Sequence, residues 1–284
     1  MSITILQSQE QLQIVDEGIA PRWVPLYSKE SFELLTKIWL KIGWQMKVPY
    51  TYSYLGFPIL QIPDDMIRAQ EVIFRLKPDV IVETGVAHGG SLIFYASLCR
   101  MIGHGQVIGV EKGLRCRAEI EASPFSDLIT LIEGDSVSSE VIDLIRGHCY
   151  REKVLVFLDS CHSADHVRKE LEAYSEFIQP GFYIVATDGN MKDLADLPRG
   201  NPKWAHDNPQ TAALAFVADN PEFEIEQPAW PFNESSLTEN ITYWPNAWIR
   251  RKTIASAAGD KAVQSPSATL EPPDAGPSII GEQS

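Results

Sequence analysis

Through the middle of the chain, short runs of apolar and β-branched residues alternate with segments of helical spacing. VIVET (80–84), QVIGVE (106–111), LITLIEG (128–134), VLVFLDS (154–160) and FYIVATD (182–188) have strand length, and their nearly continuous apolar character marks strands covered on both faces. Such strands, separated by helices, predict a Rossmann-like α/β fold with a doubly wound, mainly parallel sheet. NPEFEIEQ (220–227) and ITYWPNAWIRR (241–251) are expected to append an antiparallel pair. Upstream, residues 1–27 are polar and loosely patterned, whereas 28–48 carry apolar positions at helical spacing after Ser28, a good cap. Together they read as a helical N-terminal extension. The Tyr-, Pro- and Gly-rich stretch that follows predicts an ordered loop able to lean over a pocket, leading into a helix over 64–76. Beyond Lys252 the chain turns rich in Ala, Ser, Pro and Gly, which predicts a disordered tail. The expected division is 1–63 for the extension and aromatic loop, 64–252 for the α/β domain and 253–284 for the tail.

Composition narrows the partners. A chain of 284 residues with 38 acidic and 24 basic side chains, net −14, repels phosphate backbones and anionic lipid surfaces. Nucleic acid is therefore not expected. No apolar run approaches the roughly 18–20 residues of a membrane span. Cys99, Cys116, Cys149 and Cys161 form no C-x-x-C pair and read as reduced thiols. The polar N-terminus lacks the basic and apolar blocks of an export signal, so a cytoplasmic location is expected. The amphipathic stretch at 28–48 is a candidate contact for a homo-oligomer.

The sharpest chemical signal is Glu83-Thr84-Gly85-Val86-Ala87-His88-Gly89-Gly90-Ser91, placed where the first core strand ends and a helix begins. Glycines there allow a tight turn and close approach of a ligand beside a helix N-terminus. The spacing is G-x-x-x-G-G rather than the dinucleotide G-x-G-x-x-G, and an acid stands two residues before the first glycine. A carboxylate suits the ammonium and sulfonium charges of S-adenosylmethionine (SAM) and sits poorly beside a pyrophosphate. Gly85, Ala87, His88, Gly89 and Ser91 are thus candidate SAM-binding residues with Glu83. Glu111, ending the second strand, is placed to accept from the ribose hydroxyls. Asp135 and Ser136, after the third, are placed to close over the adenine.

Asp159 and Asp188 end the fourth and fifth strands, so both carboxylates should emerge at the sheet edge where such folds bind ligands. With Asn190 as a third ligand they form a candidate Mg²⁺ site, and Asp159 counts as both catalytic and cofactor-contacting. His162 is a candidate general base for an acceptor hydroxyl. His166, four residues on, should share a helical face with it; the pair also has zinc spacing, but no third ligand accompanies it, and His166 reads as structural.

Several of these stretches are familiar. Tyr54-Leu55-Gly56-Phe57-Pro58-Ile59 with Gln61-Ile62-Pro63-Asp64, then KPDVIVETGVAHGGSL, LDSCHSADHVRKELEAY and NPQTAALAFV, resemble the family of cephalosporin hydroxylases and rhamnosyl O-methyltransferases. The resemblance implies a class I methyltransferase fold related to catechol O-methyltransferase, SAM and Mg²⁺ as cofactors, and work in antibiotic or glycolipid biosynthesis. It implies that Asp159 and Asp188 are metal ligands and that Gly85 to Ser91 hold the methyl donor. Two departures stand out: Asp159-Ser160-Cys161-His162 where relatives carry D-S-N-H, and Ala186-Thr187 where some place a second acid before the aspartate. The insert between Asp188 and Pro209, with Trp204, His206 and Asp207, and the tyrosines 50, 52 and 54 are expected to shape acceptor specificity. The expected function is Mg²⁺-assisted O-methylation of a small-molecule hydroxyl on a sugar or secondary metabolite. A metal-independent methyltransferase with His162 as base, and a non-catalytic SAM-binding subunit of a partner enzyme, are the alternatives.

Overall fold

A computed structural model describes residues 2–253; the stretch 254–284, which falls in the expected disordered tail, lies outside the described residues. The chain begins with β1 (Ser2–Leu6), β2 (Gln11–Val15) and β3 (Arg22–Pro25), followed by α1 (Lys29–Gln45). A two-stranded ribbon, β4 (Ser53–Tyr54) and β5 (Phe57–Pro58), leads to α2 (Pro63–Leu76). The α/β core runs β6 (Val80–Thr84), α3 (Gly90–Ile102), β7 (Gln106–Glu111), α4 (Arg117–Glu121), β8 (Ile129–Glu133), α5 (Ser139–Cys149), β9 (Val154–Leu158) and α6 (Ala164–Tyr174). It closes with β10 (Tyr183–Ala186), α7 (Met191–Leu194), α8 (Pro209–Asp219), β11 (Phe223–Ile225) and β12 (Trp248–Arg251).

Ser28 caps α1 as expected, its hydroxyl accepting from the Ser31 N–H. Residues 1–27 depart from expectation: β1–β2–β3 form an antiparallel meander that buries Leu12, Ile14 and Val24 against α1 residues Leu34 and Leu35. The period-2 alternation in QLQIV holds only two apolar positions, too few to stand out among the surrounding glutamines.

The main sheet has the order β11-β12-β10-β9-β6-β7-β8, parallel from β10 through β8, with β12 antiparallel between β10 and β11. Successive residues of each core strand enter opposite layers. Ile81, Val107, Leu155 and Phe157 pack on one side with α2 and α3; Val80, Val82, Ile108 and Val156 pack on the other with α5 and α6. Burial on both faces explains why these segments read as unbroken apolar runs. The chain leaves β6 for β7 and β8 on one side and returns to β9 on the other. The carboxyl ends of β6 and β9 therefore form the switch-point crevice where ligands of such sheets bind.

One buried acid ties the C-terminal stretch to the core. Asp65, in the first turn of α2 and only 2% exposed, accepts hydrogen bonds from the Thr242 hydroxyl and from the Tyr243 N–H at 2.9 Å. Burial pushes its carboxyl up to about 8, against the opposing pull of those two donors. The fold thus holds a proton that the unfolded chain releases from about pH 4 upward, and stability should drop by a few kcal/mol as pH rises from there toward 8. Asp65→Asn, neutral throughout, should flatten this dependence. Melting temperatures of both proteins across that range test it; a constant difference between them would contradict it.

Candidate active site

A cleft of about 390 Å³ opens at the carboxyl ends of the core strands. On one side it is lined by the glycine loop, through Gly85, Ala87, His88 and Ser91, and by Glu111 and Ser136. On the other stand Asp159, His162 and Asp188. Gly85 has φ +86°, and a Cβ there would lie 2.1 Å from the Asp159 carbonyl oxygen, so the loop rests directly on the end of β9. Only glycine satisfies both conditions.

Four residues expected at the ligand do not line the cleft. Glu83 is wholly buried beneath the loop, where its Oε2 accepts from the Ser91 hydroxyl at 2.6 Å and its Oε1 has no partner. Burial, reinforced by the charge of Asp159, raises its pKa well above the usual carboxylate range. Its position beneath the loop, bonded to Ser91, keeps the side chain out of the cleft. Glu83→Gln should therefore change SAM affinity by less than about tenfold, a 1.4 kcal/mol step; a larger loss by calorimetric titration would restore the direct role. Gly89 faces away from the cleft, toward Ile120 and Cys116. Asp135 turns outward to Lys112 at 2.9 Å, which holds its pKa down. Asn190 lines a separate cavity of about 730 Å³ beside α1, where its buried Nδ2 lacks a partner.

Glu111 lines the cleft at the end of β7, and its hydrogen bonds orient it. Its Oε2 accepts from the N–H groups of Val86 and Ala87 at 3.1 and 3.4 Å, and its Oε1 from that of Lys112. Ser136 Oγ lies 3.2 Å from His166 Nε2, which also approaches Ser160 Oγ at 3.2 Å and Glu170 at 3.4 Å. His166 is thus part of the cleft wall, its pKa raised by the hydrogen bond to Glu170.

His162 and His166 do not share a helical face. Ser163 caps α6, so His162 precedes the helix and turns to Asp188, with Nδ1 3.7 Å from Oδ2. The i, i+4 helical spacing that suggested a zinc pair is therefore not realised. Asp159, His162 and Asp188 each bring one ligand atom within 4.8 Å of the other two. Asp188 adopts φ +55°, the bend that carries its side chain off the end of β10. Thr187 Oγ1 lies 2.5 Å from Asp159 Oδ1 and 2.9 Å from the Leu158 carbonyl, orienting the carboxylate. Burial pushes Asp159 up to about 7, with the charge of Asp188 adding to the rise, and burial raises Asp188 against the pull of His162. Two carboxyls that resist ionising side by side are a donor set that a divalent cation would relieve.

The roof comes from elsewhere in the chain: Trp44, Tyr50 and Tyr243 line the cleft. Trp204 of the insert stands behind Trp44, edge-on at 5.6 Å, and Asp207 accepts from the Ala164 N–H at the start of α6. The insert therefore braces the site from outside. Tyr54 packs on Phe94 and bonds Ser97. Gln61 was not singled out for a site role; it lines the cleft 6% exposed with an unpaired Oε1, and nothing in local spacing marks it.

Parallel order with an antiparallel β12, and a glycine cradle at the switch point, define a class I methyltransferase fold. CmcI solved with Mg and SAM shares it at TM-score 0.51 and 21% identity, covering 72% of this chain and 78% of that one. CmcI in an apo form gives 0.50 and 22%, with the same coverage. The family model for rhamnosyl O-methyltransferase/CmcI matches residues 46–252, and the chain belongs to that family. The rhamnosyl O-methyltransferase of Mycobacterium tuberculosis (strain ATCC 25618 / H37Rv) is 29% identical over 156 residues, 53% of this chain and 62% of the relative. That of Mycobacterium leprae (strain TN) is 28% identical over 152 residues, 52% and 65% respectively. The chain thus spans less than two thirds of the length of these curated relatives. Among the described residues no helix is long and apolar enough to cross a membrane.

Proposed function

We propose that this chain transfers the methyl group of SAM to a hydroxyl of a sugar or sugar-bearing natural product, with a divalent cation such as Mg²⁺ held by Asp159 and Asp188. The observation that carries the reading is the contact of Gly85 with the Asp159 carbonyl, which puts the donor cradle and the metal-ligand carboxylates on one rim. The donor set fits such an ion: carboxylate oxygens converge, and burial raises the pKa of both acids, with the charge of Asp188 adding to the rise at Asp159. The cleft also fits SAM, with Glu111 available to ribose and Ser136 and His166 at the adenine end. When bound, the cation would acidify the acceptor hydroxyl. The chain's own groups do the rest: the loop fixes the donor, Asp159 and Asp188 would hold the ion, and Trp44, Tyr50 and Tyr243 exclude water. The convergence of Asp159, His162 and Asp188 speaks against a merely supporting, non-catalytic subunit. Four free thiols and use of a cellular cofactor fit a cytoplasmic location.

Turnover of methyl-labelled SAM with rhamnosyl glycosides and with cephalosporin-type alcohols, before and after EDTA, tests the reading. Label should enter an acceptor, stop with EDTA and return with added cation. Absence of measurable SAM affinity would sink it.

A further inference from the structure

We propose that His162 is itself a ligand of this cation, giving a two-carboxylate, one-imidazole site that favours Mn²⁺ and similar borderline ions over Mg²⁺. The inference rests on the metal-assisted reading above. Around an ion with bonds of about 2.1 Å, neighbouring donors lie about 3 Å apart and opposite donors about 4.2 Å. The donor atoms of Asp159, His162 and Asp188, all within 4.8 Å of one another, need only a small contraction to meet that geometry. His162 Nδ1 stands 3.7 Å from Asp188 Oδ2, beyond hydrogen-bond range, so imidazole and carboxylate face each other without a direct bond. A shared cation would fill such a gap.

The three side chains are also held in place. Thr187 orients Asp159, the backbone bend at Asp188 projects its carboxylate, and the segment carrying His162 is anchored by Ser163 and Asp207 at the start of α6. Asn190, the third ligand expected from sequence, lines the other cavity instead. Mg²⁺ prefers an all-oxygen shell rich in water, whereas imidazole suits transition ions. With Nδ1 committed to the cation, His162 no longer serves as the base that its sequence position suggested.

The full chain, stripped with chelator and reloaded with Mn²⁺, gives a direct test. Electron spin-echo envelope modulation should show coupling to ¹⁴N in the wild type and lose it in His162→Asn and His162→Gln. Calorimetric titration should show Mn²⁺ affinity falling in both variants by at least the roughly tenfold typical of losing a ligand's supporting partner. Mg²⁺ affinity should change less, so the Mn²⁺/Mg²⁺ ratio falls. Circular dichroism confirms that the variants are folded. Tight Mn²⁺ binding without nitrogen coupling, abolished by Asp159→Asn, would overturn the role of His162 while leaving the metal-assisted reading intact. No binding of either ion, with SAM present, would overturn both.

Discussion

Asp159→Ala is expected to lower turnover about a thousandfold while leaving SAM affinity within a few fold. Loss of a metal-held transition state costs several kcal/mol, and each 1.4 kcal/mol is about a factor of ten in rate. The side chain reaches the ligand set, whereas the part of Asp159 that touches the donor loop is its main-chain carbonyl, which alanine retains. Thr187 keeps its contact with the Leu158 carbonyl, so the end of β9 should stay in place. Labelled-SAM turnover alongside calorimetric titration separates the two effects. Unchanged turnover would refute a catalytic metal at this position, and a collapse of SAM binding would show that the carboxylate belongs to the donor half.

Gly85→Ala acts on the opposite half of the site. A left-handed backbone costs a substituted residue about 1–2 kcal/mol, and forcing an extra carbon into packed structure costs about 1–3 kcal/mol more. The Cβ would meet main chain rather than a flexible side chain, so relief requires moving the loop or the strand end. A melting temperature lower by roughly 5–15 °C follows from a sum of about 2–5 kcal/mol in a domain of this size. SAM affinity should fall by about a hundredfold or more if the loop shifts to make room, at 1.4 kcal/mol per factor of ten. A variant that melts like the wild type and binds SAM normally would mean the cradle is far more pliable than its contacts imply.

Much of this architecture was legible in the sequence because strands buried on both faces announce themselves as continuous apolar runs. VIVET and QVIGVE coincide residue for residue with β6 and β7. The N-terminal meander was not legible, since its buried face contains only Leu12, Ile14 and Val24. At the site, position along the chain correctly brought Asp159 and Asp188 to one edge, because strand ends in a parallel sheet share that edge. It misjudged Glu83, whose side chain points into the sheet's helical layer rather than the cleft: a strand residue one place before the turn can face either way, and periodicity inside a fully buried strand does not say which. The expected placing of Asn190 beside the two aspartates fails for a related reason. The turn after β10 bends at Asp188, carrying Asn190 toward a different cavity, while the segment before α6 brings His162 back over the strand ends.

Tyr243 donates to the carbonyl of Leu40, 203 positions away, and its neighbour Thr242 is pinned to Asp65. The glycine-loop side of the cleft, by contrast, is built at the ends of the successive strands β6, β7 and β8. Closing so wide a loop is entropically slow, so the β6–β8 side of the cleft should become ordered early and the Tyr243 side last. Under the proposed function, exchange of those outlying pieces between homologues should change the acceptor taken while leaving SAM affinity unaltered.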